Sequence, residues 1–510
     1  MLVPKFNGLV KPTAGVAGIA PYSVPRHPAP TDLKLDANEG EAPSADLLRL
    51  VAEKGPDLMR RYPDASALQA HLARRIGVAK ECLIVTAGGD DSLDRLCRSI
   101  LQPGVELLTT DPGFEMLPRY ARLAGAGVRE IEWKPGAAFP TDAMIAAVRP
   151  ETRLVAFVSP NNPTGAVGTA DDLRRLSAAA PHAIILADLA YIEFADEDLT
   201  PVALSLPNVV IVRTLSKAYG LAGLRVGYAI GPTEVIGWMR AAGGPYAVAR
   251  PSIAIAMARL ERNDGGMERF VAQVRADRAR ISKELEAVGA RVYGSQGNFV
   301  FAELEDPLWL RDIMAGLGIS IRAYPGHPRL AHALRITVPG NAAECDRVVR
   351  AIRAAYAPQA ILFWYLGVLD CDGKLTVKPQ DLGRLAMRTP LGLVSAASPT
   401  GVEAFLAMNG IERHFKDLSF SATPSLEDRV DALKRALAAR HAETAWVVCR
   451  IPAQVAAARA IGVVPIGFLP TSPESTESEG ALLSAGAAAV FRTIDDILAQ
   501  IQQMPTLMTE

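Results

Sequence analysis

The stretch RTLSKAYGLAGLRVGY, residues 213 to 228, decides how this chain is read. It leaves the β-branched apolar run NVVIVRTLS, passes a Thr-x-Ser pair, reaches Lys217 and crosses a glycine-rich turn to Arg225. Taken alone, a lysine among apolar residues is ordinarily a surface group whose charge snorkels to water. Here two hydroxyls, an ammonium and a guanidinium meet on one loop behind a strand. Such a loop makes an oxyanion clamp, because the planar fork of arginine grips phosphate through paired N–H donors.

Three segments upstream carry matching chemistry. AIILADLAYIEF, residues 183 to 194, closes an apolar strand on Asp188 and sets Tyr191 just beyond it. A carboxylate at such a place is costly unless a cation or hydrogen-bond donors meet it. SPNNPTG, residues 159 to 165, reads as a turn after the strand RLVAFV. TAGGDDSLDRL, residues 86 to 96, puts Gly88, Gly89 and Asp90 at a helix start, where unpaired N–H groups and the helix dipole favour an anion.

The wider pattern predicts an α/β fold. From Ser44 on, helical stretches such as DLLRLVAEK and ALQAHLARRIG alternate with the apolar runs CLIVTAGG, VELLTT, TRLVAFVSP, AIILADLAY and NVVIVRTLS. That alternation implies a mostly parallel sheet covered on both faces, with ligands at the strand ends. After Lys217 come longer helices, notably over residues 266 to 288, then the strand-like RVYGSQGNFVFAEL and ALRITV, a smaller α+β lobe. Its last helix, AAECDRVVRAIRAAY, stops at Ala357-Pro358, a breaker and a natural boundary. Beyond it ILFWYLGVL, PLGLVSAA, AWVVCRI and VVPIGFL again alternate with helices and predict a second, smaller α/β domain. The expected division is an N-terminal arm over 1–40, a large domain over 41–250, a small lobe over 251–357 and a last domain over 360–510. LPTSPESTESEG should be a surface loop, and the tail QQMPTLMTE should fray.

Composition narrows the classes. A chain of 510 residues exceeds what one core fills. With 49% hydrophobic and 21% charged residues it buries enough apolar surface to fold. Lys+Arg 54 against Asp+Glu 55, without a basic block, argues against a nucleic-acid partner. The five cysteines are scattered without a C-x-x-C pair, which is no disulfide framework, and a reducing cytoplasm suits them. The N-terminus is broken by Pro and Gly, so neither a signal peptide nor a membrane span is expected.

Together, LDANEG, RRYPD, NNPTG, DLAYIEF, TLSKAYGLAGLRVGY, GNFVF and LRITV resemble, in order and spacing, the fold-type I pyridoxal-5′-phosphate (PLP) aminotransferases. Within them the histidinol-phosphate aminotransferase family is most similar, over about residues 5 to 355. The resemblance implies a mostly parallel seven-stranded sheet between helices plus a small α+β lobe, and a homodimer with shared active sites. It implies that Lys217 carries the cofactor covalently and then serves as general base and acid. Asp188 is implied to keep the ring nitrogen protonated, which makes the ring an electron sink. Asn162 and Tyr191 are implied as donors to the ring oxygen, and Phe114 as the aromatic on the ring face. Gly88, Gly89, Asp90, Thr214, Ser216 and Arg225 would form the phosphate cup, and Tyr62 would reach the cofactor phosphate of the neighbouring subunit. Arg335 in ALRITV would pair with the substrate α-carboxylate, while Tyr22, Asn38 and Asn298 would line the substrate pocket. No metal is implied.

Departures are visible. The usual Gly-Ser-Asp-Glu of the phosphate helix reads Gly88-Gly89-Asp90-Asp91, Leu189 replaces an acid, and Pro339 interrupts the turn after Arg335. These bear on the substrate more than on the cofactor. Transamination of an L-amino acid or amino phosphate with a 2-oxo acid is the first reading. A decarboxylase or oxidase of the same subgroup is the second, since threonine-phosphate decarboxylases look similar in each motif. A non-catalytic scaffold is a third, opposed by the intact Lys217, Asp188, Asn162, Arg225 and Arg335.

The segment from Ile361 resembles the haloacid-dehalogenase (HAD) hydrolases, in which an apolar strand ends in Asp-x-Asp-Gly. In one register ILFWYLGVL puts Trp364 and Leu366 where the two aspartates belong; in the other, Asp370-Cys371-Asp372-Gly373 is the motif. Ser395 matches the second-motif hydroxyl, but the fourth-motif Gly-Asp has become Cys449-Arg450. Arginine repels the Mg²⁺ that a HAD nucleophile needs. A degenerate, Rossmann-like HAD-type domain is therefore expected.

Overall fold

In a computed structural model, residues 10–262, 264–415, 417–470 and 478–504 are described. The first nine residues of the expected arm, most of the LPTSPESTESEG loop and the end of the tail lie outside them. The chain forms two compact units. The first comprises Met1–Val24, Asn38–Ala276 and Tyr293–Phe301; the second comprises Pro25–Ala37, Asp277–Val292 and Ala302–Glu510.

The first unit is built on a seven-stranded sheet. Its spatial order is Leu83–Thr86, Gly227–Ile230, Val209–Thr214, Ile184–Asp188, Thr152–Val158, Glu106–Asp111, Gly127–Glu132. All neighbours pair in parallel except Gly227–Ile230, which runs antiparallel to both of its own. The central strands carry continuous apolar runs because both faces are covered, and alternate residues feed opposite cores. Val155, Phe157, Ile185, Ala187, Val209 and Ile211 pack on one side. Leu154, Ala156, Leu186, Val210 and Val212 pack on the other. The register sets Asp188 opposite Val212, and Gly227 opposite both Thr214 and Thr86. Three loops therefore leave the same edge of the sheet: the one after Asp188, the one carrying Lys217, and the one opening the helix Gly89–Ile100.

In the second unit Leu33–Leu35 runs parallel to Ile319–Ala323, which pairs antiparallel with Ala333–Thr337. The helix Ala342–Tyr356 ends at Ala357, at the predicted break. A separate six-stranded, all-parallel sheet follows, in the order Leu418–Phe420, Leu391–Ser395, Ala360–Trp364, Ala445–Cys449, Val464–Phe468, Ala489–Phe491. The strand order reverses between Ala360–Trp364 and Ala445–Cys449. This sheet packs on what precedes it through large side chains. The Trp309 and Trp446 rings meet at 5.4 Å, and their indole N–H groups donate to Ala355 and Ala354 at the end of the helix Ala342–Tyr356. Arg459 donates to the carbonyls of Ala315, Gly316 and Pro30.

The two stretches aligned with Asp-x-Asp-Gly fall on different elements. Trp364 ends the central strand. Asp370 instead opens a two-stranded hairpin, Asp370–Cys371 with Lys374–Leu375, whose turn residues Asp372 and Gly373 both have positive φ. Asp-Cys-Asp-Gly forms the turn of that hairpin, with the Asp370 carboxylate accepting from the Gly373 N–H at 2.8 Å. No helix among the described residues is long and apolar enough to cross a membrane.

Candidate active site

The site grows from the carboxyl edge of the seven-stranded sheet. Asp188, the last residue of its strand, is 5% exposed and accepts a hydrogen bond from the Ala190 N–H at 3.2 Å. Burial pushes its carboxyl up to about 7; the Ala190 amide and the Lys217 ammonium pull the other way, while Asp90 adds to the rise. The Lys217 ammonium lies 5.5 Å from the centre of the Tyr191 ring. Tyr191 is fixed in turn, since Asn38 Nδ2 donates to its hydroxyl at 3.1 Å and Phe299 meets its ring edge-on at 5.4 Å. Asn298, fully buried, donates to the carbonyls of Asn38 and Glu39 at 3.2 Å each. Lys217, Asp188, Tyr191, Asn38 and Asn298 are thus brought together.

The anion cup forms beside them. Thr214 Oγ1 donates to Ser216 Oγ at 2.9 Å and accepts from the Ser216 N–H at 3.1 Å. Arg225, in the left-handed region at φ 51, reaches Ser216 Oγ at 3.4 Å and Asp90 Oδ2 at 3.0 Å. Gly88 precedes the helix Gly89–Ile100 at φ 83. A Cβ there would stand 2.5 Å from Arg225 Nη2, and one on Gly227 would stand 2.5 Å from the Gly88 carbonyl carbon. Only glycines let these two loops close to this distance.

The remaining predicted residues lie on several elements. Asn162 lies in the turn after Thr152–Val158, and Phe114 is half-buried before the helix Met116–Leu123. Tyr22 is 54% exposed and donates to Glu115 at 3.0 Å. Tyr62, 79% exposed, stacks on Tyr246 at 4.6 Å. Arg335 belongs to the second unit, buried, with Nη2 donating to the Asp36 carbonyl at 2.7 Å. Its cross-strand partner is a second buried guanidinium, Arg322, which sequence reading missed. Also missed were Gly40 and Gly220. A Cβ on the first would fall 1.9 Å from the Lys217 carbonyl oxygen, and on the second 2.0 Å from that of Glu41.

Comparison with known proteins bears on this arrangement. The family described as aminotransferase class I and II matches residues 32–352. The chain belongs to that family. It is 32% identical to a histidinol-phosphate aminotransferase of Paracoccus denitrificans over 335 residues, 64% of this chain and 90% of that one. It is 38% identical over 301 residues to an aromatic amino acid aminotransferase of Mycobacterium bovis, covering 57% and 84% of the two chains. The fold is shared with the Sinorhizobium meliloti histidinol-phosphate aminotransferase solved with pyridoxal-5′-phosphate, at TM-score 0.59, 24% identity and coverage of 64% and 92%.

As a class I and II aminotransferase the chain is a PLP-dependent enzyme, and its residues fit that cofactor. The glycine cradle at Gly88 and Gly227 leaves the room a Cβ would fill, and hydroxyls, amides and a guanidinium surround it. A buried carboxyl raised to about 7 suits a protonated ring nitrogen, which would hold it ionised.

Proposed function

We propose that this aminotransferase moves the amino group of an L-amino acid or amino phosphate of the histidinol-phosphate kind to a 2-oxo acid such as 2-oxoglutarate, as a homodimer with shared sites. The observation that carries this reading is the Lys217 ammonium over the Tyr191 ring, beside the buried Asp188 carboxyl. Lys217 would hold PLP through its ε-amino group, Asp188 would face the ring nitrogen, and Asn162 and Tyr191 would donate to the ring oxygen. Phe114 would lie on the ring face. The phosphate would rest among Gly88, Gly89, Asp90, Thr214, Ser216 and Arg225, with Tyr62 reaching the neighbouring subunit's site. Bound PLP supplies an electron sink for a substrate carbanion. The chain's part is then proton transfer and positioning. The Lys217 amine takes the proton from the substrate Cα and returns it, and Arg335 grips the α-carboxylate through its fork. Tyr22, Asn38 and Asn298 would border the substrate. Arg322, across the strand pair from Arg335, would offer a second cation to a substrate phosphate. An aromatic L-amino acid is the second reading, favoured by the higher identity to the mycobacterial relative.

The test is glutamate formation from 2-oxoglutarate with histidinol phosphate, aromatic and other L-amino acids. Lys217→Ala should lose the visible cofactor band and at least a thousandfold in rate, as expected when a covalent anchor and proton carrier goes. Carbon dioxide or peroxide released in place of glutamate would instead support a decarboxylase or an oxidase.

We also read residues 360–510 as a HAD-like domain without phosphatase activity. Supporting this, Trp364 ends the central strand, Leu366 lies two residues beyond it, and Arg450 follows the neighbouring strand. Mg²⁺-dependent turnover of a generic phosphate ester would overturn it.

A further inference from the structure

In an open parallel sheet, ligands gather beyond the carboxyl ends of the strands, at the point where strand order reverses. In the six-stranded sheet that point lies between Ala360–Trp364 and Ala445–Cys449. The register sets Phe363 opposite Val448, so the segments leaving the two strands, Tyr365 to Gly367 and Arg450, start side by side. Arg450 is 9% exposed. Its Cβ and Cγ lie 3.2 and 3.0 Å from where a Cβ on Gly367 would stand, so the side chain runs along that turn. Gln454 holds the backbone here. Its Oε1 accepts from the Arg450 N–H at 2.7 Å, and its Nε2 donates to the Leu366 carbonyl at 3.2 Å.

The guanidinium itself lacks a counter-charge. Among the described residues no carboxylate forms an ion pair with Arg450, and its buried Nη1 has no acceptor. Trp364, 2% exposed at the end of the adjoining strand, holds a second buried N–H without an acceptor. Asp370, the acid nearest in sequence after that strand, is bonded through its backbone to Tyr365 and Gly367, and its carboxylate accepts from the Gly373 N–H without pairing with Arg450. The helix Pro452–Ala460 begins two residues past Arg450, so the positive end of its dipole follows that residue closely in the chain. Leaving a buried cation uncompensated is strongly unfavourable, whereas an oxyanion meeting a guanidinium fork is among the stronger polar contacts proteins make.

We propose that this switch point binds a small oxyanion, a phosphate or a carboxylate, without a metal ion, and that Arg450 supplies the charge that holds it. The site belongs to the second unit alone and does not depend on the aminotransferase reading.

The test is calorimetric titration of PLP-saturated full-length protein, so that the cofactor's own phosphate cup is filled, with sodium phosphate in one arm and sodium acetate in the other at constant ionic strength. Arg450→Gln should weaken binding of the preferred anion at least tenfold, and Arg450→Lys should keep part of it. The arm that responds names the source. Because Arg450→Gln removes an unmatched buried charge, it should melt no lower than wild type in anion-free buffer, and the melting temperature of wild type alone should rise with the anion. Identical titrations for wild type and Arg450→Gln would overturn the proposal. So would a requirement for Mg²⁺, or a wild-type melting temperature indifferent to both anions, the result expected if ordered water satisfies the guanidinium.

Discussion

Asp188 is a carboxylic acid that its own fold disfavours as an anion. With its carboxyl raised to about 7 by burial, against ~3.9 in an unfolded chain, the folded cofactor-free protein binds the proton more tightly than the unfolded one. The stability tied to this group is therefore present in full below about pH 4 and is lost as pH rises through 7. Between those limits the loss approaches ~1.4 kcal/mol per pH unit. In cofactor-free protein, the melting temperature of Asp188→Asn minus that of wild type should climb from pH 5 to pH 8, and adding PLP should reverse the order at pH 8. A flat difference would remove the burial argument. Asp188 was legible in the sequence because an apolar run ends on it. Arg322 was not, because its only mark is being opposite Arg335, a matter of strand register between segments that no motif connects.

At the scale of elements, the anion cup depends on loop backbones that tolerate no side chain. Gly88→Ala would carry a Cβ at φ 83 and ψ 177, a strain of about 1–3 kcal/mol, and press on Arg225 Nη2. PLP should bind about tenfold more weakly, ~1.4 kcal/mol by equilibrium titration, with the fold retained because a guanidinium end can shift. Gly227→Ala meets the backbone of Gly88 and Gly89 at 2.5 to 2.9 Å and should fold poorly. The central strands were legible as unbroken apolar runs. Gly127–Glu132 was overlooked because it is an edge strand, half-exposed, whose GVREIE reads as surface. Gly227–Ile230 hid behind the motif it terminates, and Leu33–Leu35 is too short to show a period.

For the molecule as a whole, the predicted break at Ala357 is a boundary in the chain without being a boundary in packing. Trp446 is fully buried against Trp309 and donates to Ala354, so Trp446→Ala should cost about 3–5 kcal/mol and lower the melting temperature of the second unit. A chain ending at residue 357 should be insoluble, since it would leave Trp309 without its partner ring; a soluble, fully active product would refute this. Nothing local in the sequence joins positions 309 and 446. Alternation of strands and helices revealed two sheets but could not show which surfaces the tryptophans would seal.

The chain passes between its two units five times, and the piece that completes the first, Tyr293–Phe301, carries Asn298 and Phe299. Those two residues hold Asn38 and Tyr191 in place, yet they come off the ribosome long after Lys217. While being made, the polypeptide therefore lacks the back wall behind its reactive lysine until that late segment emerges, and a nascent chain halted anywhere before it would expose an unfinished pocket.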